Sequence, residues 1–451
     1  MSIEYRVERD SMGEVRVPAG ALYGPQTQRA VDNFPISGLR FSRSFIRALG
    51  LIKAAAAKVN GELGELPPAV AGAVEAAANQ VMEGTHDSQF VVDIFQTGSG
   101  TSTNMNANEV IGRLAGAHPN DDVNRGQSSN DAIPSAIHIA AAETAHRKLF
   151  PAMRSLQTSL ESKAAQFHDI VKIGRTHLQD AVPMRLGQEF SGYARQVQAS
   201  AERIDAALAG IYELPLGGTA VGTGLNARPG FARAVIEEIS RRTGLPFVEA
   251  RDHFEAQAAK DALTFLSGAI RTYAIALTKI ANDIRWLGSG PRCGLGELKL
   301  PEVQPGSSIM PGKVNPVIAE SVLMVCAQVI GYDSTIAWCA AAGNFELNVM
   351  MPVMAYDLLA SEELLAAATQ NFTDRLIEGL EADRERIAAI VENSLTTGTA
   401  LAPEIGYDQA AAVVKEAYRS RRTVREVARE KSSLPEDRLS EVLDPVRQAG
   451  D

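Results

Sequence analysis

The stretch EAQAAKDALTFLSGAIRTYAIALTKIANDIRWL, Glu255 to Leu287, decides the architecture. Leu263, Leu266, Ile270, Tyr273, Leu277, Ile280, Ile284 and Leu287 recur at alternating spacings of three and four. That is the unbroken stripe of a heptad-like helix. Without an interruption, a helix of this extent spans roughly 50 Å at 1.5 Å per residue. Such a stripe must be covered by other helices, so the chain is read as mainly α and built around a long-helix bundle.

Working outward, a similar stripe runs from Met184 through Leu186, Phe190, Tyr193, Val197, Ile204 and Ile211. A third long helix is expected from near Asp131, with Leu149, Met153, Leu156 and Leu160 on one face and Pro151 kinking or interrupting it. From Ser321 to Tyr332 no residue is charged, so every face of that helix is expected to be buried. A helix apolar all round sits at the centre of a large bundle. With its striped neighbours it points to a bundle completed by other copies of the chain rather than to a monomer. At the N-terminus, Tyr5–Glu8 and Glu14–Val17 alternate around a Ser-Met-Gly turn and predict a short β-hairpin. Helical, alanine-rich sequence begins at Arg43, with loops at Gly61–Pro68 and Gly84–Asp87. The expected division is an N-terminal, mainly helical domain over 1–126, a central long-helix domain over 127–381 and a small helical domain over 382–451. In the last, Pro403–Asp408 reads as a break. The cluster of Arg419, Arg421, Arg422, Arg425 and Arg429, interleaved with glutamates, reads as a solvated face.

The 451 residues carry a net charge of −10, which argues against nucleic acid or an anionic membrane surface as partner. No apolar run approaches the ~20 residues of a membrane span, and the N-terminus lacks a signal core. The three cysteines, Cys293, Cys326 and Cys339, are scattered and without CxxC spacing, which fits a reducing, cytoplasmic setting. None of the seven histidines makes a metal-ligand spacing, so no metal is expected. An anionic substrate would therefore need a locally positive pocket made by particular residues.

Five segments could supply it. GSSIMPGKVNP, Gly306 to Pro316, presents Ser307, Ser308, Lys313 and Asn315 on a Gly-flanked loop suited to a small anion and to opening and closing. It is not a phosphate-binding P-loop: five residues separate its glycines and Val314 replaces the required hydroxyl. TGSGTSTNMNANE, Thr97 to Glu109, either caps the helix that follows or grips a carboxylate through Ser99, Gly100 and Thr101. In GQSSNDAIPS, Ser128, Ser129 and Asn130 precede a helix, as an N-cap, an anion site or both. GRTHLQDAVP, Gly174 to Pro183, sets His177 beside Thr176 in a polar loop. An imidazole titrates near neutrality, so His177 is the best candidate for proton transfer. GTAVGTGLNA, Gly218 to Ala227, holds a loose GxGxxA pattern, but no βαβ alternation surrounds it and dinucleotide binding is rejected.

Together with HPNDDVN, KIANDIRW and GNFELNV, these runs resemble the class II fumarase family of the fumarase/aspartase superfamily over essentially the whole chain. The resemblance implies that family's three-domain, mainly α fold with a tetrameric core and reversible anti addition of water to fumarate. It implies no metal and no cofactor, and active sites shared between subunits of a homotetramer. Carried over by motif, the catalytic residues are Ser307, His177 and its acidic partner Glu320. The substrate contacts are Ser99, Gly100, Thr101, Ser128, Ser129, Asn130, Thr176, Ser308, Lys313, Val314 and Asn315. His118, Pro119, Asn120 and Asp121 resemble a second carboxylate site, though the connector RLAGA (113–117) lacks the basic residues of some relatives. His177 and Gly312 favour a hydratase over the alternative, aspartate ammonia-lyase. The joint presence of Ser307, His177, Glu320 and Lys313 weighs against a catalytically silent structural relative.

Overall fold

The computed structural model describes residues 4–450. The chain opens with an antiparallel hairpin, β1 (Tyr5–Asp10) and β2 (Gly13–Pro18), in register Tyr5↔Pro18. Its strands run further than the alternation alone predicts. Helices follow: α1 (Pro25–Asn33), α2 (Arg43–Glu62), α3 (Pro68–Glu83), α4 (Thr101–Ala115), α5 (Ser129–Thr144) and α6 (Phe150–Gln166). The second half of the chain adds the hairpin β3 (Val171–Thr176) and β4 (Gln179–Arg185), then α7 (Leu186–Ile211), α8 (Phe231–Thr243), α9 (His253–Ala258), α10 (Asp261–Leu287), α11 (Val317–Ala341) and α12 (Met351–Phe372). Shorter helices close it, among them α13 (Arg384–Asn393), α14 (Ala402–Ile405), α15 (Tyr407–Ser420) and α16 (Val424–Lys431). The architecture is mainly α, as the stripes predict.

The chain divides into two compact units. One holds the residues up to Pro151 with Ser200–Ile275 and Val325–Ala367; the other holds Ala152–Ala199, Ala276–Met324 and everything from Ala368 onward. In the first unit α2 is buried on almost every side from Phe45 to Ala57, against α3, α5 and α8. In the second, Leu401, Val413, Ala417, Val427 and Leu439 form a small core of their own. The expected break falls at Gly406, between α14 and α15. The arginine cluster there is a salt-bridged surface, with Arg422 on Glu430 and Arg429 on Glu436.

All eight stripe residues from Leu263 to Leu287 are buried, but the helix does not begin at Glu255. Lys260 curls back to donate to the carbonyls of Gln257 and Ala259 at 2.6 and 2.7 Å, and Ala259 is extended, so α9 ends and α10 starts afresh at Asp261. This cap outweighs the helix preference of the alanines around it. Helical structure continues through Pro151, and the irregularity falls before it. A five-residue π-turn over Ala145–Leu149 joins α5 to α6 just before the proline. The wider turn absorbs the hydrogen bond that proline cannot make. Met184 belongs to β4, so the α7 stripe starts at Leu186.

The expectation that every face of α11 is buried does not hold within one chain. Ala319, Val322, Cys326, Val329 and Ile336 are buried, whereas Met324 and Trp338 are 68% and 77% exposed. By length and composition alone α11 would suffice to cross a membrane, although Glu320 and Asp333 interrupt its apolar run. Its Asp333, however, is buried and accepts from Ser267 and Arg271 of α10, both at 2.7 Å, which is how a helix packed on other helices satisfies a carboxylate.

Candidate active site

In the first unit, the candidate residues lie at two helix N-termini. α4 starts after Gly100, which has no side chain to cap it, and of the first-turn N–H groups Gln96 Oε1 takes only that of Thr103, at 2.9 Å, so those of Thr101 and Ser102 are available to an anion. Ser99 is buried and its hydroxyl shares a 2.7 Å hydrogen bond with that of Thr101. The turn before it is held from outside: Gly98 O accepts from Met351 N at 3.1 Å. A Cβ on Gly98 would sit 1.7 Å from Val349 O, so only glycine lets these two backbones meet. Gly98→Ala is therefore expected to destabilise the protein by about 1–3 kcal/mol through overpacking, measured by denaturant unfolding.

α5 begins with a full capping box. Ser128 Oγ accepts from the first-turn backbone, and Ser128 N donates to Asp131 Oδ1 at 2.8 Å. Asp131 is wholly buried and its other oxygen accepts from Gly217 N and Thr219 N, both at 2.9 Å. Burial pushes its carboxyl up, against those donors, which favour the ionised form. Asn130 Nδ2 donates to Ala220 O at 2.8 Å, which holds the Gly218–Ala227 segment against this helix end. That is a structural use for the loop in which dinucleotide binding was rejected. Ser129 is buried and its Oγ accepts from Asn104 Nδ2 of α4 at 3.0 Å. Ser128 is thus a cap, while the Ser129 hydroxyl and the N–H groups of Thr101 and Ser102 are not used up by capping.

In the second unit, GRTHLQDAVP is a hairpin rather than the expected loop. Thr176 pairs with Gln179, and His177 and Leu178 form the two-residue turn, with φ of 56° and 59°. Two successive positive φ values define a type I′ turn, normally the place of Asn-Gly. A histidine and a leucine there cost about 1–3 kcal/mol of strain each. Thr176, His177 and Leu178 are all exposed, so the strain presents the imidazole outward instead of packing it. β3 is anchored beneath by Lys172 on Glu189 at 2.9 Å and by Arg175 on the buried Glu297.

The Gly306–Pro316 loop is tied at its neck. Gly306 N donates to Lys313 O at 2.8 Å, and Asn315 Nδ2 donates to Gly306 O at 2.6 Å. A Cβ on Gly306 would meet Lys313 O at 2.4 Å, so the neck requires that glycine. Within the loop, Ile309 N and Met310 N both donate to Ser307 Oγ, at 3.2 and 3.0 Å. Ser308, Lys313 and Glu320 are exposed, while Val314 and Asn315 are partly buried. Among the described residues, no hydrogen bond or ion pair joins His177 to Glu320 or to this loop within the chain. His118 and Asp121 are likewise exposed, held locally by Asp121 N donating to His118 Nδ1 at 3.0 Å.

Sequence reading missed the polar floor under the α4 and α5 termini: Lys53, Asn104, Asn108 and Asn124. The available signal was the pair Asn104 and Asn108, four residues apart on a helix that also buries Asn106 and Glu109.

Comparison with known proteins identifies the family. A lyase family model matches residues 13–331, and a model of the fumarase C C-terminus matches 399–447. The class II fumarate hydratase of Mycobacterium tuberculosis is 55% identical over 445 residues, covering 97% of this chain and 94% of that protein. That of Xylella fastidiosa is 50% identical, covering 99% and 95%. Among solved structures, the class II fumarase of Schistosoma mansoni superposes with a TM-score of 0.96 at 40% identity, covering 99% of both chains. With the motifs, the fold and near-complete coverage by such relatives in agreement, the chain belongs to the class II fumarate hydratase family.

Proposed function

We propose that the chain catalyses reversible anti addition of water to fumarate, giving L-malate, as a cytoplasmic enzyme of the tricarboxylic acid cycle. The observation that carries the mechanism is the pair of backbone N–H groups directed at Ser307 Oγ. A serine is far too weak an acid to act as a base unless its oxyanion is stabilised, and two backbone donors supply that, with the charge of Lys313 on the same loop adding to it. Ser307 removes the proton from C3 of malate. The electron pair moves onto the adjacent carboxylate as an aci-carboxylate, which Lys313, Asn315 and the first-turn N–H groups of α4 and α5 stabilise. The C2–oxygen bond then breaks, and His177, assisted by Glu320, delivers the proton that lets hydroxide leave as water. In the other direction His177 takes that proton back from the attacking water. Ser99, Gly100, Thr101, Ser128, Ser129, Asn130, Thr176, Ser308 and Val314 position the dicarboxylate. This chemistry calls for no cofactor.

The reading also requires four subunits that share their sites. Its support is the apolar surface one chain leaves open: Met324 and Trp338 on α11, with Phe265, Ile275 and Trp286 on α10, are all more than half exposed. A groove of about 710 Å³ lined by Tyr332, Trp338, Val349, Met350 and Tyr356 adds to it. Surface of this kind on a water-soluble protein marks an interface. The three cysteines are free thiols, in keeping with a reducing compartment.

One experiment tests both claims. Size-exclusion fractions are assayed by the ultraviolet absorbance of the fumarate double bond, first with malate, then with aspartate. Absorbance is expected to rise with malate, in the four-subunit fraction alone. A rise with aspartate only would make the protein an ammonia-lyase, silence with both a structural relative, and full activity in a single-chain fraction would remove the shared site.

A further inference from the structure

Lys53 lies in the middle of α2 and is wholly buried. Its ammonium donates to Asn124 Oδ1 at 3.0 Å and to Gln127 Oε1 at 2.9 Å. Asn124 Oδ1 also accepts from Asn104 Nδ2 and Asn108 Nδ2, each at 3.2 Å, and Asn124 Nδ2 donates to Gln127 O at 3.1 Å. Asn104 Nδ2 in turn donates to Ser129 Oγ at 3.0 Å. Lys53, Asn104, Asn108 and Ser129 are all buried.

Burial pushes the pKa of the Lys53 ammonium down to about 7, against the attraction of Asp131; while protonated it has donors and no acceptor, so it fixes the polarity of everything bonded to it. Asn124 must turn its carbonyl oxygen toward Lys53. Asn104 then faces an oxygen and must present its NH2. The second hydrogen of that NH2 points at Ser129, so Ser129 Oγ must accept. Its own proton is thereby left for an outward hydrogen bond. Without Lys53 each amide can flip, and Ser129 can turn its O–H inward to an Asn104 carbonyl.

We propose that Lys53 is a positioning residue for the reaction: through Asn124 and Asn104 it locks Ser129 as a hydrogen-bond donor to the substrate carboxylate. The inference rests on the reading of Ser129 as a substrate contact. Because a carboxylate is bound in both ground and transition states, losing the lock acts mainly on KM.

The test compares Ser129→Ala, Lys53→Met, Asn104→Asp and the Lys53→Met/Ser129→Ala double variant by steady-state kinetics with malate and fumarate. Ser129→Ala is expected to raise KM roughly tenfold, the worth of one hydrogen bond to a charged group. Lys53→Met should raise KM by a similar factor while kcat changes less than about threefold, and should add little on the Ser129→Ala background. If Lys53→Met fails to fold, Asn104→Asp carries the test. It keeps the shape of Asn104 but can only accept from Ser129, so KM must rise by the same factor. A rise with Ser129→Ala but none with Lys53→Met or Asn104→Asp would overturn the proposal, as would penalties that fully add in the double variant. No change with Ser129→Ala would instead overturn Ser129 as a contact, and the proposal with it.

Discussion

Ser307→Ala should lower kcat in both directions by about 10²–10⁴-fold, the usual contribution of a positioned proton acceptor, while the folded state survives. The loop geometry sets up the contrast. Ser307 Oγ accepts from Ile309 N and Met310 N, and that arrangement alone could be a local turn motif whose only task is to shape the loop. If so, alanine would free two exposed N–H groups to water, cost under ~1.5 kcal/mol, and act through looser substrate binding. A base predicts something else. Its removal makes C–H cleavage limiting, so malate deuterated at C3 should show a larger isotope effect on kcat in the variant than in the parent. KM should move little, because the hydroxyl proton acceptor matters at the transition state. A fall of less than about tenfold in kcat, with no change in isotope effect, would reduce Ser307 to a loop former.

The features that failed to show in the sequence have a common physical character. The stripe from Leu263 to Leu287 was legible because burial repeats with the helix period, and all eight residues are buried. The break at Ala259–Lys260 was not, because it depends on where one flexible ammonium goes, and nothing in an alanine-rich run encodes that. The π-turn before Pro151 is similar: proline announces a lost hydrogen bond but not how the backbone will accommodate it. The hairpin over 171–185 was hidden by Gly174, where its register shifts, and by a turn lacking Gly or Asn. At the site, motifs named the groups that face outward. The buried network behind them left only the pair Asn104 and Asn108 as a trace, since Lys53 in an apolar helix reads from sequence as an exposed lysine. Pairwise hydrogen bonds between distant segments leave no periodic trace.

His177→Asn tests the other half of the mechanism and is expected to lower kcat by at least about 10²-fold. The turn makes asparagine the informative choice. His177 has φ of 56°, a conformation in which asparagine is more at ease than histidine, so the hairpin should form as well or better in the variant. A purely structural role for His177 therefore predicts an unchanged or firmer protein with normal turnover. A proton-transfer role predicts a firm protein that is almost inactive, because an amide keeps the hydrogen-bonding shape and cannot carry a proton between water and substrate. His177→Gly sharpens the contrast further. Glycine also accepts this backbone, and the exposed position leaves room for imidazole from solution. Added imidazole should recover part of the lost rate in the glycine variant and none in the asparagine variant. Near-normal kcat in His177→Asn would take the imidazole out of the reaction and leave the strained turn without a functional reason.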